Sequence, residues 1–118
     1  MGVRRGMART LNASIIIPTW NRPESYATLR RSLDAQTEQH FETITLTERG
    51  PLARLRNDGL RRALAPVVCF IDDDTGCPPA WLAGVLGAFV APDVVGVTGP
   101  AVIKPAYRQH RDLFQYRT

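Results

Sequence analysis

Asp72, Asp73 and Asp74 follow directly on the apolar run Val-Val-Cys-Phe-Ile at residues 67 to 71. Adjacent carboxylates repel one another unless a positive charge intervenes. If the extended backbone of the run continues, Asp72 and Asp74 point to one face and Asp73 to the other, so the outer pair can share a ligand. Magnesium suits such a pair, because it takes one or two protein carboxylates and completes its octahedron with phosphate oxygens and water. A solvated acidic turn capping a strand is the other reading, and the acids alone do not separate the two.

Arg56 is the second residue of interest. At 100° per residue it falls between Leu52, Gly59, Ala63 and Leu60 on the apolar arc of a helix, whereas Arg54, Asn57, Asp58 and Arg61 face outward. A charge on such an arc needs a partner. Glu48, an aspartate of the triplet, an anionic ligand or a purely structural ion pair would each serve, as would snorkelling to solvent.

The elements that must carry these residues are legible as an alternation. Ser14-Ile15-Ile16-Ile17, stopped by Pro18, predicts a strand buried on both faces. Pro23 and Glu24 suit the first turn of a helix whose apolar stripe begins with Leu29 and Leu33. A second strand is expected over residues 42–47, and Gly50-Pro51 opens the helix that bears Arg56. Residues 67–71 make a third strand. Pro78-Pro79 leads into a third helix, with Leu82, Val85, Leu86, Phe89 and Val90 on one side, and residues 94–98 supply a fourth strand. This order predicts an α/β fold with about four mainly parallel strands, right-handed crossovers and helices on both faces. In such sheets the ligand crevice lies outside the carboxyl ends of the strands. The loops Pro18-Thr19-Trp20-Asn21, Glu48-Arg49-Gly50, Asp72-Asp73-Asp74 and Gly99-Pro100 all fall there.

Composition narrows the function classes. A chain of 118 residues, 44% hydrophobic and 22% charged, is enough for one ordinary folded domain. The net charge of +4 would suit a nucleic-acid binder, but it resides in the ends, a basic tail at 1–12 and a basic segment at 104–118. Residues 13–103 carry eight arginines against ten acids, a balance of −2. No nucleic-acid partner is expected of such a domain. The longest uncharged apolar stretch, residues 81–91, is eleven residues, too short for a transmembrane span. Cys69 and Cys77 form no CxxC pair and have only His40 and His110 for company, so a reduced, cytoplasmic pair is expected rather than a zinc site.

Taken together, the segments 14–23 (Ser-Ile-Ile-Ile-Pro-Thr-Trp-Asn-Arg-Pro), 50–59 (Gly-Pro-Leu-Ala-Arg-Leu-Arg-Asn-Asp-Gly) and 70–75 (Phe-Ile-Asp-Asp-Asp-Thr) resemble three successive motifs of family 2 glycosyltransferases, in the family's order. The resemblance covers residues 13 to about 103. It implies the Rossmann-like, three-layer half of a GT-A fold that binds a nucleotide-diphosphate sugar. On that basis Pro18, Thr19, Asn21, Glu48, Arg56, Asp72 and Asp73 are the expected nucleotide-sugar-binding residues. Asp72 and Asp74 are the expected ligands of Mg2+ or Mn2+, in an inverting transfer to an acceptor hydroxyl.

Two departures from the family pattern qualify that expectation. Only eight residues separate Thr47 from Arg56, where members usually carry a further helix and strand, and Glu48 stands alone as the acid after the second strand. The second departure concerns catalysis. Members carry a catalytic base, an acceptor-binding segment and an antiparallel strand well after the aspartates, and here Asp112 is the single later carboxylate besides Asp93. The expectation is therefore a truncated chain that turns over slowly, self-associates or is completed by another chain. A donor-binding remnant without catalysis is the alternative. A receiver-type signalling domain is a further rival, but it wants paired acids after its first strand, where this chain has Pro18-Thr19-Trp20.

Overall fold

The computed structural model describes residues 10–89, 91 and 93–97. Its elements are β1 (Ala13–Pro18), α1 (Pro23–Asp34), β2 (Phe41–Leu46), α2 (Leu52–Arg62), β3 (Val67–Phe70) and α3 (Trp81–Gly87). The three strands form one parallel sheet in the order β2-β1-β3. Ile15 lies opposite Thr43 and Cys69, and Ile16 opposite Ile44 and Phe70.

β1 is central because it alone can be apolar toward both layers. Ala13, Ile15 and Ile17 pack with Leu29 and Leu33 of α1, Leu82 of α3, Cys69 and Ile71. Ile16 faces the other way, toward Ile44, Leu46 and Leu55, with Val68 and Ala63 at the margin. Alternate residues of a strand point to opposite faces, so these two clusters lie on opposite sides of the sheet. Helices therefore cover both faces, α1 and α3 on one and α2 on the other.

The helix ends follow local chemistry. α1 starts with Pro23 in its first turn, carries Glu24 at the positive end of its dipole and has Arg31 in its last turn. Across the sheet α1 is also pinned by polar contacts, since Tyr26 Oη and Thr45 Oγ1 share a hydrogen bond of 2.9 Å and Arg30 donates to Thr43 Oγ1 at 2.8 Å. The apolar arc of α2 is narrower than its sequence pattern predicts. Leu55 and Gly59 are buried, but Leu52 and Leu60 are exposed. α3 stops at Gly87, so Phe89 lies beyond it, and Val90 is outside the described residues.

The expected fourth strand is not found in residues 94–97, which carry no strand pairing. Gly96 interrupts this short valine-rich run, and a glycine inside a strand removes side-chain packing and costs backbone entropy. Thr98, the 99–100 loop, the tail at 1–9 and the basic segment at 104–118 lie outside the described residues. The described residues up to Gly87 form one compact unit and those from Ala88 another, in which they form no helix or strand. No helix among the described residues is long and apolar enough to cross a membrane.

Gly59 is where α2 meets β1. A Cβ built on it would stand 2.6 Å from Ile16 Cγ2 and 3.0 Å from Cδ1. Ile16 is fully buried and cannot swing away. Gly59→Ala is therefore expected to destabilise the fold by about 1–3 kcal/mol despite alanine's better helix propensity. Urea unfolding would show this as a lower midpoint, and an unchanged or higher midpoint would contradict the packing.

Candidate functional site

A pocket of about 450 Å³ opens at the carboxyl ends of the strands. Its walls come from Pro18, Thr19, Trp20 and Arg22 after β1, Glu48, Arg49 and Gly50 after β2, and Asp72, Asp73 and Asp74 after β3, with Leu52 and Leu55 of α2 below. Six of the eight residues expected at the site, Pro18, Thr19, Glu48 and the three aspartates, thus line one cavity. Asn21 and Arg56 do not line it. Asn21 serves the loop through its backbone, at φ 53°, a left-handed conformation that asparagine tolerates better than most residues.

Arg56 reaches the edge of this pocket from α2. Its guanidinium lies 3.7 Å from Asp72 Oδ1 and 5.9 Å from the centroid of the Phe70 ring, a cation–π distance. Nε is buried with no hydrogen-bond partner. Of the partners expected for Arg56, the structure selects the triplet and not Glu48, while its tip remains partly exposed.

The acidic triplet departs from the extended geometry expected of it. β3 ends at Phe70, and the chain then turns, with Thr75 N donating to Asp72 O at 3.1 Å. Asp72 and Asp74 are exposed, whereas Asp73 is only 6% exposed. Asp73 Oδ2 accepts from Thr19 Oγ1 at 2.8 Å, and Oδ1 accepts from Arg22 Nη1 at 3.4 Å. The outward-inward-outward alternation is present, but the turn and these two donors produce it.

Both ends of the acidic segment are anchored. At the β3 end Ile71 N donates to Ile16 O at 3.1 Å. At the other end the buried Gln36, just past α1, donates from Nε2 to Pro78 O at 2.7 Å and Cys77 O at 3.4 Å, and its Oε1 accepts from Leu82 N at 2.9 Å. Cys77 N donates to Ser32 Oγ at 3.1 Å. Gln36 thus closes three backbone groups around the start of α3, a role hidden in the sequence because its partners lie more than forty residues away.

Trp20 and Arg49 fall in the loops expected at the crevice but carry no role assigned from sequence, and Arg22 is likewise unassigned. The Arg49 guanidinium lies 5.8 Å from the Trp20 ring centroid at the pocket mouth, and the indole is 53% exposed. An aromatic residue placed after a strand end and left unburied was the available signal. Arg22 carried none, because its partner is set by tertiary structure.

As to a metal, no group of three or more His, Cys, Asp or Glu among the described residues is placed to hold an ion by itself. Asp72 and Asp74 are hard oxygen donors at an open rim. They fit a cation that brings most of its remaining ligands from a bound anion and water.

A parallel sheet with helices on both faces and an acidic turn at its carboxyl edge defines the class: a Rossmann-like half of a GT-A fold. The model of the family described as glycosyl transferase family 2 matches residues 34–116, and the chain belongs to that family. That match begins at Asp34, so it leaves out the segment 14–23. The crystal structure of S. aureus TarS is similar in fold, with a TM-score of 0.57 and 20% identity, over 76% of this chain and 23% of that one. The chain therefore spans about a quarter of the length of that protein. None of the curated proteins matches it.

Two outcomes are expected from this geometry. Gln36→Leu removes the partners of Pro78 O and Leu82 N and should cost about 1–3 kcal/mol in chemical unfolding. The two thiols flanking the triplet are free and buried. Burial, and then the neighbouring Cys77, pushes the Cys69 thiol up to about 11, and burial raises Cys77 as well. Thiolate is the reactive form, so at about pH 8 iodoacetamide should label neither cysteine in the folded chain and both in urea. Rapid native labelling of either would contradict their placement.

Proposed function

We propose that the pocket binds a nucleotide-diphosphate sugar together with Mg2+ or Mn2+, and that the chain supplies the donor side of an inverting sugar transfer to an acceptor hydroxyl. The observation that carries this reading is that two outward carboxylates, Asp72 and Asp74, line one cavity sized for a small ligand, with the Arg56 guanidinium 3.7 Å from Asp72.

In this reading Asp72 and Asp74 would hold the cation, whose chemistry would be to offset negative charge on the departing nucleoside diphosphate. Pro18, Thr19 and the exposed Glu48 contact the nucleotide along the β1 and β2 loops, and Asn21 shapes the β1 loop through its backbone. Thr19 Oγ1 is committed to Asp73 as a donor and keeps a lone pair for the ligand. Arg56, already beside Asp72, balances anionic charge at the same rim. The base that takes the acceptor hydroxyl's proton typically contributes about 10² to 10⁴ in rate. It would come from outside the described residues or from a partner chain, with Asp112 as the candidate within this sequence.

Calorimetry of UDP and GDP binding with and without Mg2+ or Mn2+ tests the proposal. One of the two nucleotides should bind only with the cation. Asp74→Ala and Arg56→Met should each weaken that binding by about tenfold or more, the loss expected for one charged contact. Equal affinity with and without the cation, or no loss in Asp74→Ala, would sink the metal assignment. Preserved cation-dependent binding without sugar transfer would leave the donor-binding role alone.

A further inference from the structure

We propose that Asp73 is a positioning residue whose buried carboxylate clasps the loop after β1 to the acidic turn, and that it touches neither nucleotide nor metal. The proposal deepens the nucleotide-site reading and rests on it only for the affinity changes given below.

Three adjacent carboxylates share this turn, and just one is turned inward. Withdrawing an ionised carboxylate from water is costly unless hydrogen bonds and a positive charge replace the water. Asp73 has both, and both come from the same loop. Thr19 Oγ1 donates to Oδ2 at 2.8 Å, and Arg22 Nη1 donates to Oδ1 at 3.4 Å. Both carboxylate oxygens accept from that loop and Asp73 is turned in from solvent, which leaves Asp72 and Asp74 as the outward pair. The Thr19 bond is the shorter one. Arg22 is 60% exposed in its side chain, so solvent screens its share of the attraction.

The loop's shape suits this clasp. Thr19 and Arg22 flank Trp20 and Asn21, and the left-handed backbone at Asn21 turns the chain so that both donors face Asp73. Trp20, between them, is left outward against Arg49 at the pocket mouth. Two walls of the pocket, residues 18–20 and 72–74, are therefore joined at their base by one side chain. Release of the clasp frees Trp20, and this motion can be followed without any ligand.

The test uses the full chain carrying Trp81→Phe, so that Trp20 is the sole tryptophan. Its fluorescence anisotropy and its quenching by acrylamide are measured without ligand. UDP and GDP affinity with Mn2+ is measured in parallel. Asp73→Ala and Thr19→Val should each lower the anisotropy and raise the quenching as the loop gains fast internal motion. Thr19→Ser, which keeps the hydroxyl, should restore both signals to the parent values. Nucleotide affinity should fall about tenfold in Asp73→Ala through misplacement of the loop. Loss of affinity with unchanged Trp20 signals would make Asp73 a direct ligand contact and overturn the proposal, as would unchanged signals in Thr19→Val. If the parent chain binds neither nucleotide while the Trp20 signals respond as described, the clasp stands and the nucleotide reading fails.

Discussion

The burial of β1 on both faces is the constraint from which the rest of the structure follows. Ile15, Ile16 and Ile17 are fully shielded, which three consecutive residues of a strand can achieve only if layers cover both sides. One helix cannot do this. The chain must cross from β1 to β2 over one face and from β2 to β3 over the other. The parallel order β2-β1-β3 then sends all three strand ends out at the same edge. The pocket is where those ends emerge, and the chemistry-bearing loops meet there because β1 has no solvent face. Even the polar residue inside β1 is used, since Ser14 donates to Glu42 and accepts from Ala65 N, joining β1 to β2 and to the approach to β3.

Charge is distributed at that edge so that the acidic turn is tolerable. Of three neighbouring carboxylates, Asp73 is turned inward to Thr19 and Arg22, Asp72 lies within ion-pair distance of Arg56, and Asp74 is left exposed without a salt-bridge partner among the described residues. The interactions differ in strength. An exposed pair such as Arg56 with Asp72 is worth little in water, whereas the hydrogen bond to a buried carboxylate is costly to remove. The turn is therefore held mainly by Asp73 and by its anchored ends at Ile71 and Cys77. Asp72 and Asp74 remain free to respond to what enters the pocket.

Much of the fold was legible in sequence because its signals are local. The isoleucine run, the leucine stripe of α1 and the proline and glycine breaks marked three strands and three helices to within a few residues. Valine content gives residues 94–98 the look of a strand, but Gly96 weakens it and residues 94–97 carry no strand neighbour for their backbone groups. At the site, the rule that ligands sit beyond the carboxyl ends of parallel strands grouped the right loops. It could not say which way side chains turn within them. Asp73 points inward because of Thr19 and Arg22, more than fifty residues earlier, and Gln36 grips Pro78 across a similar gap. Periodicity has no access to such contacts, and the period-two argument for the triplet lapsed once β3 ended at Phe70.

Arg56 shows how a helix packed for stability also prepares a site. Gly59 lets α2 approach β1 closely, and Arg56, three residues earlier, is carried down with it onto the sheet margin. Its guanidinium lies over Phe70, itself 47% exposed on the edge strand β3, and its Nε is shut away from water without a partner. An unpaired buried donor costs about 1–3 kcal/mol, and neither a cation–π contact of about 0.5–1 kcal/mol nor a screened ion pair offsets all of that. The side chain's position thus follows from the helix packing rather than from its own contacts. An anion arriving beside Asp72 would meet the exposed part of the guanidinium, while the buried Nε stays out of its reach. The same glycine contact that fixes α2 against the core thereby tunes the rim of the pocket.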